Sequence, residues 1–243
     1  MFEFLSSLPG YPGYSSPAAM YWVLFIVIAI LSFSVQGNLN RKFKKYSQVP
    51  TRDGSTGYEV ACRMLADNGI SNVKVTCVEG KLTDHYNPED NTVNLSKDVY
   101  YGNSIMAAAV AAHECGHAVQ HAREYAPVKM RSALVPVVQF SSQIVTWVLL
   151  AGILMIEVFP GIMLAGIGLF AMTTLFSFVT LPVEIDASSR ALAWLQKTSI
   201  AGRDTMNGAR DALKAAAYTY VVAAVSSLGT LIYYIMIYSS RRR

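Results

Sequence analysis

Charge is missing from four long stretches of this chain, and that absence constrains the fold more than any residue present. No Asp, Glu, Lys or Arg occurs in 4–40, 132–156, 158–183 or 215–240. Each stretch exceeds the roughly 20 apolar residues a helix needs to cross a bilayer. A hydrophobic share of 53% and a mean hydropathy of +0.32 are too high for an ordinary soluble domain of this size. The chain is therefore expected to be an α-helical membrane protein with four transmembrane helices, at 18–36, 134–156, 161–181 and 216–238.

Charge also orients these spans. No Lys or Arg precedes the first one, so it lacks the positive leader of a cleaved signal peptide and reads as a retained anchor. Arg41, Lys42, Lys44 and Lys45 follow it directly, which puts 37–133 in the cytosol and the N-terminal residues 1–17 outside. Residues 6–17, rich in Ser, Pro, Gly and Tyr, read as a mobile outer segment. The turn at 157–161 has no basic residue, whereas 182–215 carries Arg190, Lys197, Arg203, Arg210 and Lys214 and returns to the cytosolic side. Four crossings leave Arg241, Arg242 and Arg243 outside, against the same rule; the larger basic count of the two internal segments decides the orientation. The net charge of +4 suits anionic lipid headgroups, and nothing points to nucleic acid. Cys62, Cys77 and Cys115 are odd in number and form no C-x-x-C pair, so neither a disulfide framework nor a cysteine-rich zinc site is expected.

Within 37–133 the spacing predicts a helix over 56–68 that Gly69 ends, a strand at 73–78, and a hairpin pairing 82–86 with 92–96 across Asn87-Pro-Glu-Asp-Asn91. Small, helix-favouring residues from Ser104 lead into Ala109-Val-Ala-Ala-His-Glu-Cys-Gly-His-Ala-Val-Gln-His-Ala122, with Pro127 setting an end after Ala126. His113 and His117 are four residues apart, about 40° around a helix, so both imidazoles reach one cation. Glu114 beside them is placed to take a proton from an attacking water. This is the H-E-x-x-H pattern of zinc hydrolases.

A third ligand is expected from Leu181-Pro-Val-Glu-Ile-Asp-Ala-Ser-Ser-Arg190, which the third span returns to the same face. Glu184 and Asp186 compete for that role. In a helix starting near Val183 they lie about 200° apart, so only one can face the metal. Asp186 and Arg190 also have the spacing of a plain i,i+4 ion pair, with an outer contact to the site open to Asp186. His121 stands one turn beyond His117 and lines or caps the cleft. Gly116 permits close packing, and Cys115 is an inert buried thiol. His85 and Tyr86 lie on the strand before the motif helix, where an edge strand would pair with an extended substrate and His85 is a weak candidate for steadying an oxyanion.

The Leu82–Tyr86 run, the His113–His121 block and the Leu181–Ser188 block together resemble the YugP-type family of membrane zinc metallopeptidases, from about Arg41 to Gln196. More distantly the chain resembles the HtpX and CaaX-processing proteases, whose pattern Glu-x-x-Ala-Asp supplies a glutamate ligand. On that pattern Glu184 takes the ligand position and Ala187 the alanine. Ser188 stands where those relatives carry an aspartate expected to support a histidine ligand, so that role falls to another group here or is absent. The resemblance implies a small zincin-like cytosolic domain, Zn²⁺, and peptide or protein substrates. An intramembrane site-2-type protease is the first rival; the apolar run before His113 begins only at Ile105 and soon meets Arg123 and Glu124, too short to span. A zinc-binding scaffold or quality-control protein is the second, and it has no use for Glu114. A transporter lacks an ionisable residue in its spans suited to handling an ion.

Overall fold

A computed structural model describes residues 17–198 and 200–240; the expectations for residues 1–16 and for Arg241 to Arg243 fall outside them. The chain is mostly helical, with one small sheet. In order it forms α1 (Pro17–Tyr46), α2 (Gly57–Asp67), β1 (Lys74–Val78), β2 (His85–Asn87), β3 (Thr92–Ser96), a single turn α3 (Lys97–Tyr100), α4 (Ile105–Ala122), α5 (Ala126–Leu154), α6 (Pro160–Thr198) and α7 (Arg203–Ser240). Helices α1, α5, α6 and α7 are each long and apolar enough to cross a membrane; α4, which carries the histidines, is not among them.

Length is what lets the apolar helices serve two regions. At 1.5 Å per residue, the 39 residues of α6 run about 58 Å, nearly twice a hydrocarbon core of about 30 Å. Glu184 therefore does not begin a new helix near Val183, as the sequence suggested. It sits within one continuous helix, through Pro182, that starts at Pro160. A tight hairpin joins α5 and α6: a Cβ on Gly152 would come within 2.7 Å of Met163 Cα, so only glycine admits this approach.

Beyond the apolar stretches, the ends of α6 and α7 close a second, better buried core. Val60, Ala61, Met64 and Leu65 of α2, Val93 and Leu95 of β3 and the alanines of α4 pack against Ala191, Trp194 and Leu195 of α6 and Met206, Ala209 and Leu213 of α7. The small residues of α4 are the reason that helix can lie between α2 and α6 and still touch both. Polar ties fix the arrangement: Trp194 Nε1 donates to Asp67 Oδ2 at 2.9 Å, and Asp211 of α7 takes Tyr46 Oη at 2.7 Å and pairs with Lys42 of α1.

Local signals explain the element ends, with two corrections. Thr56 and Glu59 form a reciprocal capping box at the start of α2, and Gly69 follows its end at φ +73°. Helix α4 stops at Ala122 rather than Ala126, and Pro127 opens α5 instead of closing α4. Proline is well suited to a first turn, where its missing N–H has no partner to lose. The hairpin likewise pairs 85–87, not 82–86, with β3. Leu82 takes φ 57°, and Asp84 receives the Ser96 N–H at 2.7 Å on its carboxylate, so a side chain replaces a ladder bond. Strand order is β1-β3-β2, with β1 parallel and β2 antiparallel to the central β3. This leaves β2 at the edge against α4.

Candidate metal centre

Two helices far apart in sequence meet beneath β2. Helix α4 is capped at Ser104, whose hydroxyl accepts the Ala107 N–H at 3.2 Å, and two turns later it presents His113 and His117 to the same side. Helix α6 brings Glu184 against them. Glu184 Oε2 lies 3.2 Å from His113 Nε2 and 3.5 Å from His117 Nε2. One ligand atom from each of the three residues falls within 4.8 Å of the others, and no other such group of His, Cys, Asp and Glu occurs among the described residues. Glycine makes the meeting possible. A Cβ on Gly116 would stand 2.7 Å from the Ala187 carbonyl oxygen, so any side chain there would push α6 and its glutamate away.

Each imidazole is held from behind. Val183 O can only accept, so the Gln120 amide that donates to it at 2.8 Å must point Nε2 that way. Its Oε1 then faces His117 Nδ1 at 3.0 Å, which makes Nδ1 the protonated nitrogen and turns Nε2 toward Glu184. Gln120 Nε2 also reaches Asp186 Oδ2 at 2.8 Å. Ser188 Oγ lies 3.1 Å from His113 Nδ1 and backs the other ring, with a hydroxyl able to accept from or donate to that nitrogen. The serine that departs from the relatives' aspartate therefore still contacts the histidine. Neither Gln120 nor Ser188 was identified as a support from the sequence. Gln120 was within reach of a simple argument, since i,i+3 neighbours share a helix face.

Asp186 is not among the converging ligand atoms. It pairs with Arg190 Nε at 2.6 Å, and through Gln120 it forms the outer end of the chain that orients His117. His121 also stays apart, with Nδ1 3.3 Å from Tyr86 Oη. The two ring nitrogens of His85 lie 2.8 Å from Thr83 O and 3.2 Å from Asn94 Nδ2, so the ring is occupied on its own sheet. Cys115 is fully buried and its thiol is pushed well up by that burial, as an inert side chain should be.

Glu114 points into the same space. Its Oε2 accepts the main-chain N–H of Tyr86 at 3.1 Å, so the edge strand orients the carboxylate. A cavity of about 310 Å³ opens over these groups, lined also by Arg131 of α5 and Tyr220 of α7. Arg131 Nη1 is 3.9 Å from Glu184 Oε1. No sequence pattern singled out Arg131 or Tyr220, because each belongs to a helix whose residue pattern reports only its long apolar stretch.

Glu184 and His117 act on each other. Burial pushes the Glu184 carboxyl up, but hydrogen bonds and charge from His113 and His117 outweigh it and hold the group well below its ordinary range. His117 is the counterpart. Burial acts downward on it, yet the bond to Glu184 and the charge of Glu114 raise it above the usual histidine value.

Comparison with known proteins agrees with this chemistry. The sequence model of the family described as "Putative neutral zinc metallopeptidase" matches residues 21–239. A relative named "Putative membrane protease YugP", from Bacillus subtilis (strain 168), is 42% identical over 226 residues, covering 90% of this chain and 99% of the relative. No solved structure matches the chain.

Proposed function

This chain belongs to the family described as "Putative neutral zinc metallopeptidase", and from that premise we propose that it is a membrane-anchored zinc endopeptidase working at the cytosolic face of the bacterial cell membrane. The observation that carries the reading is the convergence of His113, His117 and Glu184 on one point, with Glu114 in the same cavity. The donor set fits the metal. Tetrahedral zinc with bonds of 2.0–2.1 Å spaces its ligand atoms by about 3.3 Å, and the carboxylate-to-imidazole separations are 3.2 and 3.5 Å. Two neutral imidazoles and one carboxylate leave a position for substrate and water, as catalytic rather than structural zinc sites do.

Zinc bound there supplies Lewis acidity, polarising the scissile carbonyl and bringing a water's pKa toward about 7. The protein's own groups do the rest. Glu114, steadied by the Tyr86 N–H, takes the proton from the attacking water and passes it to the departing amine. Gln120 and Ser188 keep the Nε2 atoms aimed inward. Strand β2 is the sheet edge beside the site, where an extended substrate would pair.

Three features support a membrane-surface location. Arg131, Glu184 and Tyr220 stand within about a turn or so of the ends of the apolar stretches 134–156, 161–181 and 216–238. The motif helix is packed among α2, α6 and α7 instead of running as a span. Basic residues concentrate in the two segments that meet at the site, which the positive-inside rule assigns to the cytosol.

Glu114→Gln is the direct test. Purified variant should keep its zinc by elemental analysis and lose about 10²- to 10⁴-fold in hydrolysis of labelled casein. In cells, membrane proteomics should then lose a set of peptide termini. Identical termini in wild type and variant, or no zinc in the purified wild type, would sink the reading.

A further inference from the structure

Hydrolysis of an amide builds negative charge on the carbonyl oxygen, and a peptidase needs a hydrogen-bond donor already aimed at that place. Most donors around this cavity are committed elsewhere. The Gln120 amide is spent on Val183 O and Asp186, His85 is held by Thr83 and Asn94, and His121 Nδ1 meets the Tyr86 hydroxyl. Arg131 reaches Glu184 only at 3.9 Å, with its side chain 38% exposed. Tyr220 enters from another side: it is half-buried and lines the cavity from α7, together with Glu114, Arg131 and Glu184.

We propose that Tyr220 is a catalytic residue, donated by the last apolar helix, whose hydroxyl hydrogen-bonds the oxyanion forming on the scissile carbonyl. The assignment rests on the peptidase reading above. Tyrosine suits the position because its ring packs with apolar neighbours while its hydroxyl, a donor at neutral pH, reaches a polar site. The geometry supplies a division of labour: Glu114 is an acceptor and base oriented by β2, and Tyr220 is a donor that enters the same cavity from α7. A tyrosine that merely marked the bilayer interface would have no need to enter the cavity.

Tyr220→Phe removes one oxygen and little else. In the full chain in detergent micelles, kcat on labelled casein should fall about 100-fold with KM within about twofold and zinc content unchanged. A phosphinic pseudopeptide, which mimics the tetrahedral state, should bind more weakly by a comparable factor in calorimetry. A thiol peptide inhibitor, which carries no such oxygen, should bind as before. Equal kcat and equal phosphinic Kd in variant and wild type overturn the assignment, as does equal weakening of both inhibitors, which marks a structural role. If Tyr220→Phe does not fold, Tyr220→p-aminophenylalanine replaces it: with a donor retained, the rate should stay within about tenfold of wild type, and a 100-fold loss counts against the proposal. If the wild type itself is inert on casein, the two inhibitor affinities decide Tyr220, and the peptide termini of wild type against Glu114→Gln decide the peptidase reading.

Discussion

The two walls of the cavity are built on different principles. One is local: His113, Glu114 and His117 lie within five residues of one helix, and helical geometry alone sets their relation. The other is assembled: Glu184 and Ser188, Arg131, and Tyr220 come from three helices that each carry a long apolar stretch, and they reach the site only after those helices dock. The contact of Gly116 with Ala187 is where the walls join. Altering Glu114 on the local wall should therefore stop the chemistry and leave the metal, whereas altering Glu184 on the assembled wall should release the metal.

The sharpest break in that comparison is Glu184→Ala set against Glu114→Gln. The first should lose zinc, with affinity down by more than the roughly 100-fold that loss of a supporting contact alone can cost; the second should keep it. Competition with a zinc-sensitive dye measures both, and a zinc-replete Glu184→Ala protein would remove Glu184 from the ligand set. Gly116→Val tests the junction. Valine must displace the Ala187 backbone, so melting in micelles should show a loss of about 1–3 kcal/mol together with weaker zinc binding. A variant with unchanged stability and metal affinity would mean the walls can part without consequence.

A finer contrast lies between the two histidine supports. Gln120→Leu and Ser188→Ala should each weaken zinc binding by about 10- to 100-fold, with the greater loss at Gln120. Gln120 is fully buried and bridges His117 to both Asp186 and Val183 O, whereas Ser188 makes a single contact to His113. The reverse order would indicate that the α6 side orients the site more firmly than α4 does itself.

Legibility followed the range of the interactions. The start of α2 near Thr56, the glycine after α2, the strand expected at 73–78 and found at 74–78, and the H-E-x-x-H spacing are all local, and each was readable. The end of α4 was misjudged because Pro127 serves equally well as a stop and as a first turn, and only the chain reversal at Glu124, at φ 53°, decides between them. The strand shift at β2 came from Asp84, whose carboxylate competes with the ladder for the Ser96 N–H. Glu184 and Asp186 were separable by helical angle but not rankable by it, since the angle says that they diverge and not which one meets His113.

From the order of residues alone came the four apolar helices, the pair of imidazoles and the adjacent base, because bilayer length and helical pitch act over neighbours and need no partner. Which carboxylate completes the cluster, that Ser188 and Gln120 steady the rings, and that Arg131 and Tyr220 enter the cavity were settled only in three dimensions. Those relations depend on how closely α4, α5, α6 and α7 pack, and packing distance is a property of facing surfaces that no single helix contains.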